Sequence, residues 1–202
     1  MYGRTRNYPK TLPTVNTVLY GRVMAERLTG QAWIDFGLRT LAHDGFTALK
    51  ADVLARKLGV SRGSFYWHFA DLAAYHARVV GAWKQAATEA IISDIEHYAS
   101  PAERLNALLQ RAFARSGALE TRMRNWAESS ADADQAVSDI DRRRRRYLEQ
   151  LLVDAGVAPP LAETRAQLLY WTYLGAAFSR SRLQREGLHR MVAELSRTGL
   201  AL

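Results

Sequence analysis

The sequence predicts an all-α protein of about nine helices, with a small N-terminal helix-turn-helix domain and a larger C-terminal helical domain. Three observations support this prediction. Apolar residues recur at spacings of three and four along most of the chain, as on one face of an α-helix. No segment alternates apolar and polar residues between turn dipeptides, as strands do. Hydrophobic residues make up 48% of the 202 residues, enough for a substantial core.

The N-terminal segment 1–23 differs from the rest, because it contains Pro9 and Pro13 and shows little periodicity. We predict a flexible basic arm here, since residues 1–30 carry five Arg or Lys against one acid. Met24 opens the periodic part of the chain, so we hypothesise that translation starts there. An intact mass of the natively expressed protein that includes residues 1–23 would contradict this hypothesis. The predicted domains are 24–76, the helix-turn-helix, and 77–202, the larger helical domain.

Helix boundaries follow from caps and breaks. The first helix ends at Asp44-Gly45, and a short second helix ends at Gly59. Ser61 and Asp71 are predicted to cap the next two helices, the second of which extends to about Ile95. The remaining helices are predicted at 101–116, 119–129, 133–155, 161–183 and 188–197.

Composition argues against several classes of function. The chain has no cysteine, which excludes disulfides, thiolate catalysis and cysteine-ligated metals and fits a cytoplasmic protein. The longest apolar runs are far shorter than a membrane span, so no membrane partner is expected. The five histidines form no HxxxH pair, so we expect no metal and no cofactor. No catalytic constellation is recognisable, and we expect that the protein is not an enzyme.

The segment VSRGSFYWHF, residues 60–69, places aromatic residues on both sides of one short helix. At 100° per residue, Phe65 and Phe69 share a face that is expected to pack into the core. The other side suits a DNA major groove, where Arg62 can bond guanine or a phosphate and Trp67 can contact a thymine methyl or a sugar. The predicted DNA-contacting residues are Lys50, Ser61, Arg62, Gly63, Ser64, Tyr66, Trp67 and His68.

The segment from about Trp33 to Trp83 resembles the tetracycline-repressor (TetR) family of bacterial transcription regulators. The residues that carry the resemblance are DGFTALKADVLARKLGVSRGSFYWHFADLAAYHARVV. The resemblance implies a homodimer that binds a palindromic double-stranded DNA operator. It also implies that 77–202 is a regulatory and dimerisation domain that binds a small-molecule effector.

The resemblance also assigns roles by position. It makes Tyr66 and His68 phosphate contacts and places Arg62, Ser64 and Trp67 against bases or backbone. Two positions depart from the family pattern. Lys50 stands where a capping Thr or Ser is common, and Leu72 stands where a phosphate-binding Lys is common.

The C-terminal part offers candidate ligand and dimer residues. Large side chains with apolar bodies, which also fit a plain core, are predicted to line a ligand cavity: Phe113, Met123, Trp126, Tyr170, Tyr173 and Phe178. A stripe with small residues at its centre is predicted to form the dimer seam or, alternatively, to pack on the last helix: Leu168, Thr172, Gly175, Ser179 and Arg182.

The run Arg142–Arg146 circles its helix. We interpret it as a solvated face paired with Asp139, Asp141 and Glu149, and a contact with DNA or an anionic ligand is the alternative.

The favoured function is a dimeric, ligand-responsive transcriptional regulator, most simply a repressor that a small molecule releases from its operator. Two alternatives stay open. One is a constitutive DNA-binding regulator or activator without a ligand. The other is a helical ligand-binding protein or enzyme with a vestigial DNA module.

Overall fold

The computed structural model describes residues 28–114, 117–179 and 184–201, and within them the chain is built from nine helices without a strand. The helices are α1 (Gly30–Asp44), α2 (Ala51–Leu58), α3 (Arg62–His68), α4 (Leu72–Lys84, Gln85–Glu89 and Ala90–Ile95 in succession), α5 (Pro101–Ala114), α6 (Ala118–Ala127), α7 (Ala131–Asp154), α8 (Pro159–Phe178) and α9 (Arg185–Leu200). The all-α prediction is confirmed, and the last helix is longer than the predicted 188–197. The predicted arm 1–23 and Arg182 lie outside the described residues.

Several helices begin at side-chain caps, and the sequence predicts two of these starts, after Asp71 and at Pro101. The hydroxyl of Thr29 accepts a hydrogen bond from the amide of Ala32 at 3.1 Å. The carboxylate of Asp71 accepts one from the amide of Ala74 at 2.7 Å. Ser100 and Glu103 form a reciprocal capping box at the start of α5, with both side-chain-to-amide distances at 3.2 Å. Pro101 is the first residue of that helix, where its missing N–H has no consequence.

An aromatic core holds the first four helices together. Trp33 and Phe65 meet edge to face with ring centroids 5.4 Å apart, and Tyr75 lies 5.0 Å from Phe65 and 4.9 Å from Phe69. The Tyr75 hydroxyl donates to the carbonyl of Trp33 at 3.0 Å, so this buried polar group has a partner. The predicted core positions Phe65 and Phe69 are both buried, which fixes the opposite side of α3 toward solvent.

A second core lies between α5, α7, α8 and α9. It is built from leucine, valine and alanine side chains, including Leu105, Leu109, Leu152, Leu169 and Val192. Along the described helices there is no stretch both long and apolar enough to cross a lipid bilayer.

An aromatic junction connects the helix-turn-helix to α6. Trp126 stacks on Phe46 with centroids 4.5 Å apart, and the ring of His76 contacts both. His76 Nε2 lies 2.9 Å from the carbonyl oxygen of Leu49, which fixes the ring at this junction. Met123 is fully buried in the same core. The core is thus continuous across the predicted boundary at residues 76 and 77, and the division into two domains stays a prediction.

Candidate functional site

The turn between α2 and α3 has the geometry that a helix-turn-helix requires. Gly59 adopts φ 69° and ψ 26°, a left-handed conformation that costs glycine no Cβ contact. Its amide donates to the carbonyls of the last turn of α2, and the Val60 amide donates to Ala55 O at 3.0 Å. These bonds close the end of α2 and redirect the chain at once into α3.

The exposed side of α3 combines a cation with two aromatic rings. Trp67 is 89% exposed and Tyr66 is 44% exposed, although a free surface seldom displays such large side chains together. Arg62 donates to the Tyr66 hydroxyl at 3.1 Å, and its guanidinium lies 5.4 Å from the centre of that ring. The hydrogen bond to Tyr66 raises the pKa of Arg62, so the group is cationic at every relevant pH. A positive, aromatic surface of this kind suits a nucleic acid.

Most of the predicted DNA-contacting residues are exposed. Lys50 lies at the start of α2, and the others lie at or on α3: Ser61, Arg62, Gly63, Tyr66, Trp67 and His68. Ser61 occupies the N-cap position of α3, as predicted. The predicted hydrogen bond from a helix amide to its hydroxyl is absent. Lys50 likewise precedes α2 without a side-chain cap.

The expectation that Ser64 is exposed is wrong. Its side chain is 2% exposed, and its hydroxyl is buried without a hydrogen-bond partner. The reason is that α3 packs against α2 as well as against the aromatic core. A short side chain on the flank of a seven-residue helix is covered by such a neighbour.

A cavity of about 340 Å³ lies in the C-terminal helices. Its walls come from α4, α5, α6, α7 and α8, and they are mostly aliphatic and aromatic. Phe113, Tyr170 and Tyr173 line it, as the sequence predicts. The volume is at the lower end of the range for small-molecule pockets.

Three predicted cavity residues lie elsewhere. Met123 and Trp126 belong to the core beside the helix-turn-helix, because α6 turns that face toward α1 and α4. Phe178 is 51% exposed at the end of α8. Helical spacing gives the face that a residue occupies, but not which of two neighbouring cores that face meets.

Two charged residues, Glu120 and Arg144, lie in the cavity wall. Glu120 was not predicted, and for Arg144 a ligand contact was only the alternative to a solvated face. Glu120 is 4% exposed, and one of its oxygens lies 3.1 Å from Arg144. Arg124 donates to the other oxygen at 2.8 Å and to Asp141 at 2.6 Å. Both residues lie at positions of an apolar stripe: Glu120 is three residues before Met123, and Arg144 lies midway between Ile140 and Leu148. This spacing was a signal that both side chains face inward.

The tyrosines of the wall complete this polar cluster. The Tyr170 hydroxyl donates to Asp141 at 2.5 Å, and the Tyr173 hydroxyl donates to Glu120 at 3.2 Å. Burial, together with the charge of Glu120, raises the pKa of Tyr173 to about 12. Burial acts to lower the pKa of Arg144, but Glu120 and the neighbouring Tyr173 and Tyr170 together outweigh it and keep that pKa above its usual value. The two guanidiniums of the cluster therefore stay charged, and the two phenols stay neutral near pH 7.

The arginine run is only partly a solvated face. Arg142 pairs with Asp139 at 2.5 Å as predicted, and Arg143 pairs with Glu89 at 3.2 Å. Arg145 donates to Gln167 at 2.9 Å. Arg144 instead faces the cavity, and Asp141 pairs with Arg124, so the solvated-face interpretation is wrong for Arg144 and for its predicted partner Asp141.

One face of α8 displays apolar side chains to solvent. Leu168 is 54% exposed and Trp171 is 61% exposed, and a Cβ added to Gly175 would meet no atom within 4 Å. Thr172 and Ser179, also predicted for the dimer seam, are exposed on this helix. The alternative, that the stripe packs against α9 in the same subunit, does not fit this exposure. Within the described parts of the chain, no three His, Asp or Glu side chains cluster as a metal site would require.

Comparison with known proteins agrees with this geometry. Residues 34–72 match the family model for bacterial regulatory proteins of the tetR family. The fold is similar to that of a transcriptional regulator from Rhodococcus sp. Rha1, with a TM-score of 0.71, 23% identity, and coverage of 85% of this chain and 95% of that one. A putative TetR-family regulator from Rhodococcus sp. gives a TM-score of 0.66, with 16% identity and coverage of 85% and 98%.

A third similar structure, of AibR in complex with isovaleryl coenzyme A and operator DNA, has a TM-score of 0.64, with 16% identity and coverage of 82% and 96%. No curated protein matches the sequence. The chain therefore resembles the TetR family in its helix-turn-helix, and it shares the all-α fold of these regulators across most of its length.

Proposed function

We propose that this protein is a dimeric transcriptional repressor that binds a palindromic operator and is released from it by a small molecule. The observation that carries the proposal is one helix that belongs to both candidate sites. α4 starts at Leu72, directly after the helix-turn-helix, and its residues Trp83, Thr88 and Ile92 line the cavity. A molecule in the cavity thus contacts the helix to which the DNA-binding surface is attached.

The surface of α3 supports the DNA-binding part of the proposal. Arg62 and Lys50 are exposed cations, and the hydroxyl of Tyr66 and the indole N–H of Trp67 are donors suited to phosphates. A seven-residue helix bearing these groups at its exposed side has the dimensions of a recognition helix in a major groove.

The exposed face of α8 supports the dimer. A solvent-exposed Leu168, Trp171 and Phe178 on one helix mark a protein contact surface. Two subunits joined there would present two copies of α3, and operator binding requires a separation near one helical turn of DNA, about 34 Å. A ligand that favours another separation lowers operator affinity by its preference for that state.

The experiment is a fluorescence anisotropy titration with labelled fragments of the DNA that flanks the gene. We expect saturable binding to one fragment, weakened as salt increases because phosphate contacts release counterions. Arg62→Ala should reduce operator affinity about 10- to 100-fold. The matched control Arg190→Ala removes an exposed arginine on α9 and should leave the affinity unchanged.

Failure of the wild-type protein to prefer any flanking fragment would contradict the proposal and favour the vestigial DNA module. Preference for a fragment without release by any cavity-binding compound would instead favour the constitutive regulator. Leu168→Arg tests the dimer by light scattering, because a buried charge at the seam should shift the protein to monomers. A dimer of unchanged stability would place the seam elsewhere.

A further inference from the structure

The charged groups of the cavity wall already satisfy one another. We propose that the cavity accepts an uncharged, largely apolar molecule and rejects carboxylates and amines of the same size. This inference rests on the proposed function only in taking the cavity as the effector site. It is tested without DNA, so the two proposals fail separately.

Arg144 has little capacity left for an anion. Its Nε donates to the Thr88 hydroxyl at 3.0 Å, and one terminal nitrogen donates to the Ala87 carbonyl at 3.2 Å. Both terminal nitrogens also donate to Glu120 at 3.1 Å. Since all three guanidinium nitrogens are engaged, a carboxylate that entered would have to break bonds to a buried carboxylate of equal charge.

Glu120 is saturated in the same way. Its oxygens receive donors from Arg124, Arg144 and Tyr173, in six contacts between 2.8 and 3.2 Å. A carboxylate offers about four lone-pair sites, so an ammonium group would have to displace an arginine. The ammonium would then leave that arginine without its partner in a buried site.

The charges of the cluster also cancel. Two carboxylates, Glu120 and Asp141, face two guanidiniums, Arg124 and Arg144, through the pairs at 2.6 to 3.1 Å. A charged ligand would add one uncompensated charge beside this neutral set, inside walls that are mostly apolar. Transfer of such a charge from water is unfavourable, whereas an apolar body gains by leaving water.

The remaining lining suits a neutral molecule with one oxygen. Thr88 accepts from Arg144 but keeps its own hydroxyl proton to donate, and Tyr147 brings a phenol to the wall. A medium-length straight-chain alcohol joins one hydroxyl to an apolar body, and the cavity of about 340 Å³ lies at the lower end of the range for small-molecule pockets.

The test compares three probes that share one chain and differ in charge: 1-decanol, decanoate and decylamine, each at pH 7.5 and below its micelle-forming concentration. Binding to the full chain is measured by thermal unfolding and by isothermal titration calorimetry. Octyl and dodecyl members of each series cover neighbouring lengths. Ala112→Phe fills the cavity from α5, and Ala102→Phe, an exposed position on the same helix, is the matched control.

We expect decanol, or its octyl or dodecyl neighbour, to raise the unfolding temperature by about 5–10 °C at a hundredfold excess over its Kd. Decanoate and decylamine should bind at least about a hundredfold more weakly. The alcohol effect should disappear in Ala112→Phe and persist in Ala102→Phe. Tighter binding of either charged probe, alcohol binding that survives Ala112→Phe, or no binding of any alcohol would each overturn the proposal.

Discussion

Replacing Glu120 by Gln should destabilise the protein because it leaves one buried cation without its partner. Arg144 is 12% exposed and Glu120 is 4% exposed, so neither group is well hydrated. Arg124 loses one partner as well, but it keeps Asp141 at 2.6 Å. Arg144 is therefore the one guanidinium of this pair of arginines that is left without a carboxylate partner. Removing one member of a buried ion pair costs about 3–5 kcal/mol, which lowers the unfolding temperature by roughly 6–20 °C at this chain length.

The double variant Glu120→Met with Arg144→Met separates this mechanism from simple loss of packing. Both charges leave together, and apolar side chains of similar length fill their places. Such replacements are often neutral or stabilising, so we expect the double variant to be at least about 2 kcal/mol more stable than Glu120→Gln.

The assay is urea unfolding followed by circular dichroism, with every variant at the same protomer concentration because a dimer's stability depends on it. Glu120→Met and Arg144→Met complete the cycle, and Arg144→Met should cost less than Glu120→Gln because Glu120 keeps Arg124. The reasoning is refuted if Glu120→Gln stays within about 1 kcal/mol of the wild type, or if the two methionine substitutions destabilise additively.

Three further predictions concern single contacts. A Cβ at residue 37 would lie 2.0 Å from the Tyr75 hydroxyl oxygen, so Gly37→Ala should cost about 1–3 kcal/mol in urea unfolding, and Tyr75→Phe should relieve part of that loss. If the stability losses of Gly37→Ala and Tyr75→Phe were fully additive in the double variant, the clash would be disproved. The pKa of Tyr173 is raised to about 12, so its neutral form is favoured in the folded state. Its contribution to the free energy of unfolding is fully present below pH 10 and is lost as the pH rises to 12, a loss of about 2–3 kcal/mol. Tyr173→Phe should lose less stability than the wild type between pH 9 and 11, and an equal loss would exclude this residue. Arg62 and Tyr66 are bonded to each other, so their effects on operator affinity in a double-mutant cycle should be less than additive, and additive effects would show that DNA separates them.

The helix-turn-helix was predictable from the sequence because its determinants are local. Gly59 supplies the left-handed turn, Asp71 supplies a cap within three residues, and Phe65 and Phe69 are related by helical spacing. Each of these features depends on residues that are close together in the chain. Ser64 is the exception, because its burial depends on how α3 packs against α2.

The cavity was less predictable because it depends on contacts between distant helices. Phe113 and Tyr173 reach it, whereas Trp126, which is also a large aromatic residue, stacks on Phe46 instead. Sequence spacing does not reveal which neighbour α6 meets on each side. Glu120 escaped notice for another reason, since an acid among charged neighbours is normally solvated.

Arg144 shows how one buried position can link the two candidate sites. Five consecutive arginines are distributed around a helix at 100° steps, so at least one must face the interior of any packed bundle. The one that does so bonds Ala87 and Thr88, in the segment Gln85–Glu89 where α4 adopts a π-helical turn. Such turns are rare within α-helices and occur frequently at functional sites. Here a contact to the turn comes from a side chain in the cavity wall, and it holds the helix that continues to Leu72 and the DNA-binding surface. A molecule that changes the position of Arg144 must therefore also change the hydrogen bonding of α4.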